Sequence, residues 1–434
     1  MAQAVAQALA CEDISREVFG HLEGEGTLST LASVARVNRA LSPPALAAIW
    51  RKLDNILQLF AVIPTFGCHR GSDTYIFDWD PTEDEWERFM SYARLVQHMD
   101  AYNLHHINPS VWKAVTEYVG CTPLFPQLQR LDRLYVDPYL PRESLVHLLS
   151  PNLRQVHLVP GPEMRGVLEE AVLSGLSHVD GLNIAHHRFG SEDEHIRELT
   201  FWTFFGSVRD LEVRQSADLT LEKLRGFAAM PHLRSLIIEV RSFAKDATKA
   251  SHCAFASLET LQCKATLRDM RALVTSTFFP QLKVVDICVW RTAEDQGVSA
   301  ATRAILAHLA LAGRESLRTI SFGLARSPSD HYFELPSDLR SMSDVLVDEL
   351  LQCPGLHTLE LAIHVPSALW KNLRVYDRDL RHIKSSWPAL RKLMLDVAWS
   401  DNEADSLPRF PDASIAPPLT VHTLAEYAQA HPQL

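Results

Sequence analysis

From Phe125 onward, apolar residues recur in a six-residue pattern, Leu-x-x-Leu-x-Leu, in which other apolar residues sometimes replace Leu. Alternation of apolar and polar positions over such a length predicts a β-strand with one buried face. A first copy of ambiguous register begins at Leu128 or Leu131. The clear copies begin at Leu153, Val179, Val208, Leu233, Leu258, Leu282, Leu317, Leu356 and Leu390. Neighbouring clear copies start about 24 to 29 residues apart at first and about 34 to 39 residues apart later, which indicates an internal repeat.

Helical patterns lie between many of these strand patterns, so the repeating unit is one strand with a connecting segment. Prolines such as Pro151 and Pro231 precede several copies, where they end a helix and favour an extended residue before them. The helical patterns span residues 142–149, 164–173, 221–229, 267–277, 302–312, 345–352 and 379–385. One unit cannot bury its apolar row alone, so neighbouring units are expected to stack into a curved parallel sheet.

This organisation resembles a leucine-rich-repeat solenoid, and the resemblance covers residues 125–434. The fold class that it implies is α/β, with the strands on the concave side and the helices on the outside. The repeat departs from the family consensus because no Asn follows the strands at the usual ladder position. The alternative is an ordinary doubly wound α/β domain, which a long series of similar strand units fits poorly.

A helical spacing of apolar residues occupies the first fifty residues. Ile14, Val18 and Leu22 lie four apart, so they are expected to share one face of a helix. After a turn that contains two glycines, the second stripe consists of Leu28, Leu31 and Val34. Ser42, which two prolines follow, is predicted to cap a third helix. The residues that this helix would bury are Leu46, Ile49 and Trp50. Three helices of this size cannot form a sufficient core alone.

Residues 10–64 resemble an F-box, whose later half reads Leu-x-x-Leu-x-x-Val-x-Arg-x-x-Arg and then Leu-Trp. The residues that match the family are Ile14, Val18, Phe19, Val34, Arg36, Arg39, Ile49 and Trp50. The departures fall at Ala10, Cys11, Asp13, Ser15 and Asn38. By resemblance, this unit docks a Skp-type adaptor through Cys11, Ile14, Val18, Phe19, Leu22, Leu28, Leu31 and Val34. The alternative is a plain three-helix cap on the larger domain.

Residues 65–124 are expected to connect the F-box to the repeats. The stretch from 65 to 80 is rich in Gly, Ser and Asp, which predicts a loop. Thr82 and Glu85 then form a capping box that starts one helix, and Asn108 precedes another. The predicted division is therefore an F-box at 10–64, a linker with connecting helices at 65–124 and a solenoid at 125–434.

The net charge of the chain limits the classes of partner that it is expected to bind. The formal net charge of the 434 residues is −11 and no Lys/Arg-rich run occurs, which argues against nucleic acid and membrane as main partners. The first residues lack the basic start of a signal peptide, and no apolar run reaches membrane-spanning length. The seven cysteines show no C-x-x-C spacing and are expected to be reduced thiols. A soluble protein of the cytoplasm, the nucleus or both is expected.

No motif in the sequence points to catalysis. The chain lacks G-x-S-x-G, a phosphate-binding glycine loop and H-E-x-x-H. Adjacent histidines at 105–106 and 186–187 are expected to point apart, so neither pair predicts a metal site. We therefore expect no enzymatic activity, cofactor or metal.

The polar strand positions give the best functional prediction. In each copy, the third, fifth and seventh residues should point away from the core. Those predicted to contact a target protein are Asp210, Glu212, Arg214, Ile237, Glu239, Gln262, Lys264 and Asp286. By resemblance to F-box proteins with repeats, the chain would recruit an unknown target to an SCF-type cullin ubiquitin ligase without holding a catalytic residue. The alternative is a leucine-rich-repeat interaction scaffold with a degenerate F-box and no ligase role.

Overall fold

The structure, a computed structural model, describes a large part of the chain. The described residues are 11–22, 27–37, 39–69, 71, 73–120, 122–136, 142–160, 176, 178–185, 205–243, 253–291, 298–326, 348–363, 377–396 and 428–429. The chain divides into two compact units. The first unit comprises Met1–Ser191 with Phe204–Val208, and the second comprises Glu192–Thr203 with Arg209–Leu434.

The first unit begins with helices and continues into parallel strands. Its helices are α1 (Glu12–Gly20), α2 (Leu28–Val37), α3 (Ser42–Arg51), α4 (Ile56–Phe60), α5 (Glu83–Ala93), α6 (Pro109–Val119) and α7 (Arg142–Leu148), with a 3-10 helix at Tyr102–His106. Its strands are β1 (Lys52–Leu53), β2 (Phe66–Cys68), β3 (Tyr75–Phe77), β4 (His98–Asp100), β5 (Arg130–Val136), β6 (Gln155–Pro160) and β7 (Gly181–Ala185).

Helices α1 to α3 form the predicted three-helix unit around a small core of their own. Phe19, Leu31 and Ala45 are buried at its centre, and partly buried apolar side chains surround them. Ser42 is the first residue of α3 rather than its cap, because Leu41 occupies the N-cap position and makes no side-chain capping bond. A core this small agrees with the expectation that the unit needs further contacts to be stable.

The predicted loop at 65–80 is wrong in part, because β2 and β3 form an antiparallel hairpin there. Alternating aromatic residues explain the hairpin, since Phe66 stacks on Tyr75 at 5.4 Å and meets Phe77 at 5.7 Å. The capping box at Thr82 is confirmed, and α5 begins directly after it. This region is therefore a packed part of the first unit rather than an open connection.

The parallel ladder begins earlier than residue 125, where the sequence pattern placed it. β1 pairs with β4, β4 with β5, β5 with β6 and β6 with β7, all in parallel. β1 and β4 are only two or three residues long, so they carry too little alternation to be detected in the sequence. The first strands of the array therefore lie in the segments predicted as F-box and linker.

A β-bulge explains the ambiguous register of the first repeat. Leu131 pairs with Val156 and Leu134 with Leu158, so β5 holds one residue more than β6 between these pairs. Leu128, Leu131 and Leu134 are all buried. The extra residue leaves Arg133 at a φ of 50°, where its Nε donates to Asp100 Oδ2 at 2.8 Å. The copy therefore starts at Leu128, and the bulge shifts the rest of its pattern by one position.

The second unit repeats one strand and one connection. Its helices are α8 (Leu221–Ala228), α9 (Leu267–Thr275), α10 (Val298–Ala312), α11 (Asp348–Leu351) and α12 (Asp377–Ser386). Its strands are β8 (Asp210–Leu219), β9 (Ser235–Phe243), β10 (Cys253–Ala254), β11 (Thr260–Thr266), β12 (Thr277–Phe278), β13 (Val284–Arg291), β14 (Thr319–Arg326), β15 (Thr358–Ile363) and β16 (Lys392–Asp396). The main sheet has the order β8-β9-β11-β13-β14-β15-β16, and β10 pairs separately with β12.

Every neighbouring pair in this main sheet is parallel and keeps the repeat in register. Leu211, Leu236, Leu261 and Val285 align across four strands and are at most 2% exposed. α9 covers this apolar row with four buried side chains, Leu267, Met270, Leu273 and Val274. The structure thus confirms the predicted α/β fold class with leucine-rich-repeat-like stacking. The predicted helix at 164–173 lies outside the described residues.

We expect Leu236→Ala to lower the free energy of unfolding by about 2–5 kcal/mol, because it removes a side chain from a packed row and leaves a cavity. Leu236 is 2% exposed and lies between Leu211 and Leu261 of the adjacent strands. Urea unfolding followed by circular dichroism measures the effect. Ile237→Ala on the opposite face of the same strand is the matched control and should cost less than about 1 kcal/mol. Equal effects of the two substitutions would contradict the assignment of faces.

Candidate functional site

Helix α1 presents two apolar side chains to solvent, on a face that does not belong to the small core of the three-helix unit. Ile14 is 45% exposed and Val18 is 43% exposed, and they lie four residues apart on one face. Ser15 and Phe19, one residue further along, turn inward and are 0% and 5% exposed. The helix therefore buries one apolar face against its own unit and keeps a second one outside.

The other predicted adaptor contacts divide in the same way. Cys11 is exposed, and Leu28 is 47% exposed at the start of α2. Leu22 and Val34 are partly buried against the small core. Phe19 and Leu31 belong to that core and are 5% and 1% exposed, so they offer little surface to a partner. The predicted adaptor contacts that remain exposed are Cys11, Ile14, Val18 and Leu28.

The predicted target contacts lie on the face of the second unit's main sheet opposite its buried row, which we call the open face. Register places the fifth residues of successive copies side by side, so Gln262 is aligned with Ile237 on one strand and with Asp286 on the other. The complete aligned row is Glu212, Ile237, Gln262, Asp286, Ser321, Glu360 and Met394. We call these residues the central row.

Hydrogen bonds and ion pairs fix several of these side chains. Gln262 Nε2 donates to Asp286 Oδ2 at 2.9 Å, which ties two neighbouring strands together on the open face. Glu212 forms an ion pair with Arg214, whose side chain remains 64% exposed. Arg214 has no aligned partner because β8 and β9 shift register between Val213 and Ser216. The carboxylate of Glu212 is thus partly neutralised where the sequence suggested a free negative charge.

The remaining predicted contacts lie on or beside this row. Lys264 is exposed and aligned with Glu239, and Asp210 is exposed at the start of β8. The structure therefore brings the predicted target contacts of the second unit onto one surface. Their burial is intermediate or low, as a surface open to a partner requires.

Sequence reasoning overlooked a further row, formed by the residue just before each strand. The carbonyl oxygen of Arg209 accepts the N–H groups of Arg234 and Ser235 at 2.8 and 2.9 Å, and the same pair of bonds recurs at every following strand. The row consists of Arg209, Arg234, Glu259, Lys283, Arg318, His357 and Arg391. The detectable signal was the second position of each copy, which is basic in most copies of the second unit. We call this row the basic edge.

The buried cysteines do not have the properties of nucleophiles. Desolvation raises the pKa of the Cys263 thiol, and burial raises the pKa of Cys353 to about 11. Both thiols are therefore protonated at neutral pH, whereas a reactive cysteine is a thiolate. These residues act as small apolar side chains within the repeat core.

The adjacent histidines at 105–106 lie closer together than their sequence positions suggested. The ring centroids of His105 and His106, which both belong to the 3-10 helix, are 3.9 Å apart, so the expectation that they point apart is wrong. Within the described ranges, no group of three His, Cys, Asp or Glu side chains is placed to hold a metal ion. The same described residues include no helix that is long and apolar enough to span a membrane.

Comparison with known proteins gives little beyond this geometry. No protein-family model matches the chain, and no curated protein matches it. One similar solved structure is the crystal structure of the Rad7 and Elc1 complex in yeast, at 14% sequence identity and a TM-score of 0.31. That match covers 96% of this chain and 94% of the other. Because the TM-score is low, the functional argument rests on the surfaces of this chain alone.

Proposed function

We propose that this protein is the target-recruiting, non-catalytic subunit of an SCF-type cullin ubiquitin ligase. In this proposal, the three-helix unit docks a Skp-type adaptor that connects the protein to a cullin scaffold. The open face of the second unit then holds the target protein. The protein accelerates ubiquitin transfer by raising the local concentration of target lysines near the loaded enzyme.

The observation that carries the proposal is the exposed apolar pair on α1. Ile14 and Val18 project into solvent from a helix whose opposite face is buried against Phe19 and its neighbours. These are the positions at which the sequence resembles an F-box. An apolar face that remains outside a folded unit is typical of a surface that a partner covers.

The open face supports the second half of the proposal. Its aligned rows carry acidic, basic and amide side chains together with Ile237 and the 38% exposed Met394. Mixed charge around a few apolar side chains favours selective binding of a protein surface. Repeat solenoids provide such extended surfaces because each repeat contributes side chains at the same positions.

A second candidate function is an interaction scaffold without a ligase role. The observation that favours it is Cys11, which occupies the N-cap position of α1 without a side-chain capping bond and stands where the F-box pattern has proline. A less stable first turn of α1 would lower the affinity for an adaptor while leaving the repeats folded. The two candidates therefore differ in one measurable property, which is adaptor binding.

Mixing the purified chain with a purified Skp-type adaptor tests this property. We expect a one-to-one complex in size-exclusion chromatography and a dissociation constant of about 1 μM or lower in calorimetry, which corresponds to about −8 kcal/mol. A chain that starts at Lys52 lacks the three helices and serves as the control, which should not bind. Absence of a complex with the complete chain would favour the scaffold function.

A further inference from the structure

The basic edge concentrates positive charge in a chain whose formal net charge is −11. Arg209, Arg234 and Arg391 are exposed, and within the described residues neither Arg209 nor Arg391 forms an ion pair. The acidic member of the row, Glu259, is bound to Lys283 at 2.9 Å. The edge therefore keeps an excess of positive charge after its internal pairing.

Two other cations of the row are less available. Lys283 is held by Glu259, and the hydrogen bond from Lys283 and the charge of Arg234 lower the pKa of that carboxyl group. Arg318 donates from Nη1 to the carbonyl oxygens of Glu315 and Leu317 at 3.0 and 3.2 Å, and its guanidinium occupies the space that a side chain at Gly355 would need. Arg209, Arg234 and Arg391 are therefore the members best able to meet a ligand.

The neighbouring central row carries acidic side chains that are already bonded within the sheet: Glu212 pairs with Arg214, Glu360 pairs with Lys392, and Asp286 accepts a hydrogen bond from Gln262. Glu212, Asp286 and Glu360 lie three residues beyond the edge on their respective strands, and this row holds no basic side chain of its own. Since strand residues are spaced by about 3.3 Å, the basic edge and the central row run parallel at a separation of about 10 Å. The central row therefore adds no basic residue beside the edge.

The length of the basic edge and a pocket beside it would fit a bound peptide in extended conformation. Parallel strands are spaced by about 4.8 Å, so the six steps from Arg209 to Arg391 span about 29 Å. Along this edge a pocket of about 320 Å³ is lined by Arg234, Glu259 and His232, together with Pro231, Ala256, Ser257 and Gln281. A depression of this kind can receive one side chain of a peptide that crosses the strands.

We propose that the basic edge binds an acidic peptide segment of a partner protein, in an extended conformation that runs across the strands. A span of about 29 Å corresponds to about nine extended residues. Its carboxylates would meet Arg209, Arg234 and Arg391. This inference deepens the proposed function, on which it rests for its biological meaning, by identifying the chemistry of the target segment.

Charge geometry favours an acidic peptide over a nucleic acid. The cationic groups form a single row, Glu259 interrupts it, and the acidic central row lies alongside. A nucleic acid carries phosphates along its whole backbone and would place some of them against Glu259 within the edge and beside the central row, which offers them no basic residue. A peptide can place its carboxylates on the edge and neutral or basic residues over the central row.

Fluorescence anisotropy of a labelled ten-residue polyglutamate peptide with the complete chain tests the proposal. At about 50 mM salt, where screening is modest, we expect saturable binding that weakens as salt is raised. The triple variant Arg209→Glu, Arg234→Glu, Arg391→Glu should bind at least about tenfold more weakly, which corresponds to about 1.4 kcal/mol. Replacement of the same three residues by Gln should give a smaller loss, because it removes attraction without adding repulsion.

The matched control is Arg88→Glu, Arg94→Glu, Lys113→Glu, which changes net charge equally at exposed positions of the first unit. It should leave peptide affinity unchanged within about twofold, since none of these three residues belongs to the basic edge. Melting curves verify that all variants are folded. Three outcomes would overturn the proposal: no saturable binding by the parent, equal losses in the edge and control variants, or tighter binding of a ten-nucleotide oligo-dT than of the peptide.

This experiment does not depend on the adaptor. If the unmodified chain binds the adaptor but not the peptide, the peptide site at the basic edge is wrong and the ligase proposal stands. If the chain binds the peptide but not the adaptor, the peptide site stands and the scaffold function is favoured. The two proposals can therefore fail separately.

Discussion

Removal of residues 1–81 is expected to unfold the first unit, whereas removal of residues 1–51 should leave it folded. The composition of residues 65–80 suggests a loop at which the chain could be cut without harm, and the structure argues against such a cut. Phe60, which precedes this stretch, is fully buried and lies 5.1 Å from Phe89 and 5.8 Å from Trp112 between ring centroids. The segment before the apparent linker is therefore part of the core.

The physical reason is the number of side chains that the longer deletion removes. The buried apolar residues that the longer deletion removes and the shorter one keeps include Leu53, Ile56, Leu59, Phe60 and Ile63, each at most 2% exposed. Each fully buried apolar side chain contributes about 2 kcal/mol, so the loss is about 10 kcal/mol. A typical domain is stable by only about 5–15 kcal/mol, so the deletion should remove its cooperative unfolding.

The shorter deletion removes little from the remaining core. The three helices have their own buried cluster, and their deletion also abolishes the stacking of Trp50 on Tyr92, whose ring centroids lie 4.8 Å apart. Such an aromatic pair contributes about 1 kcal/mol. Near-ultraviolet circular dichroism and thermal unfolding of the 52–434 and 82–434 chains measure the difference. A native aromatic signal and a cooperative transition in the 82–434 chain would show that the N-terminal segment is dispensable.

Val18→Asp is expected to weaken adaptor binding by about 100-fold or more, if the three-helix unit docks an adaptor as proposed. An unpaired charge in a dry contact costs about 3–5 kcal/mol. Val18 is 43% exposed in the free protein, so the carboxylate remains hydrated there and folding should be nearly unaffected. The penalty would appear only when a partner covers the helix. Calorimetry with the purified adaptor measures the affinity, and circular dichroism verifies the fold.

Val146→Asp is the matched control for this substitution. Val146 lies on α7 and is 42% exposed, so the same chemical change occurs at almost the same exposure. It should leave adaptor affinity unchanged within about twofold, because an isolated exposed apolar residue is common on protein surfaces. If a folded Val18→Asp protein binds the adaptor as tightly as the Val146→Asp control, the α1 surface is not the docking site.

Much of the repeat array could be predicted because its signal is local and recurs. The period-two alternation at Leu236 and Ile238 marks the buried face of one strand, and the same spacing at Leu261 and Cys263 sets the register with the next. Each copy supports the others, so occasional substitutions do not hide the pattern. The open-face residues followed from the same alternation, since they occupy the positions between the buried ones.

Short elements and irregular ones could not be predicted with the same method. β1 pairs with β4 and β4 pairs with β5, so both depend on neighbouring strands, and their few residues hold too little pattern of their own. The extra residue at Arg133 changes the spacing within a single copy, which is why the apolar pattern favoured a start at Leu131 although the preceding proline indicated Leu128. The hairpin at 66–77 depends on aromatic contacts with residues outside it, such as that between Phe77 and Trp86 at 5.7 Å, which the pattern of its own residues does not show.

The sequence alone determined the α/β class, the repeat and the alternation of buried and open strand positions, because each follows from the spacing of neighbouring side chains. Only the tertiary structure decided which apolar residues of α1 face outward. Helical spacing groups Ile14 with Val18, but burial depends on where α3 packs, and that helix contacts the Phe19 side. Likewise, the second position is basic in most copies of the second unit, but the sequence does not show that these residues are neighbours. The parallel register brings those residues side by side into a charged edge.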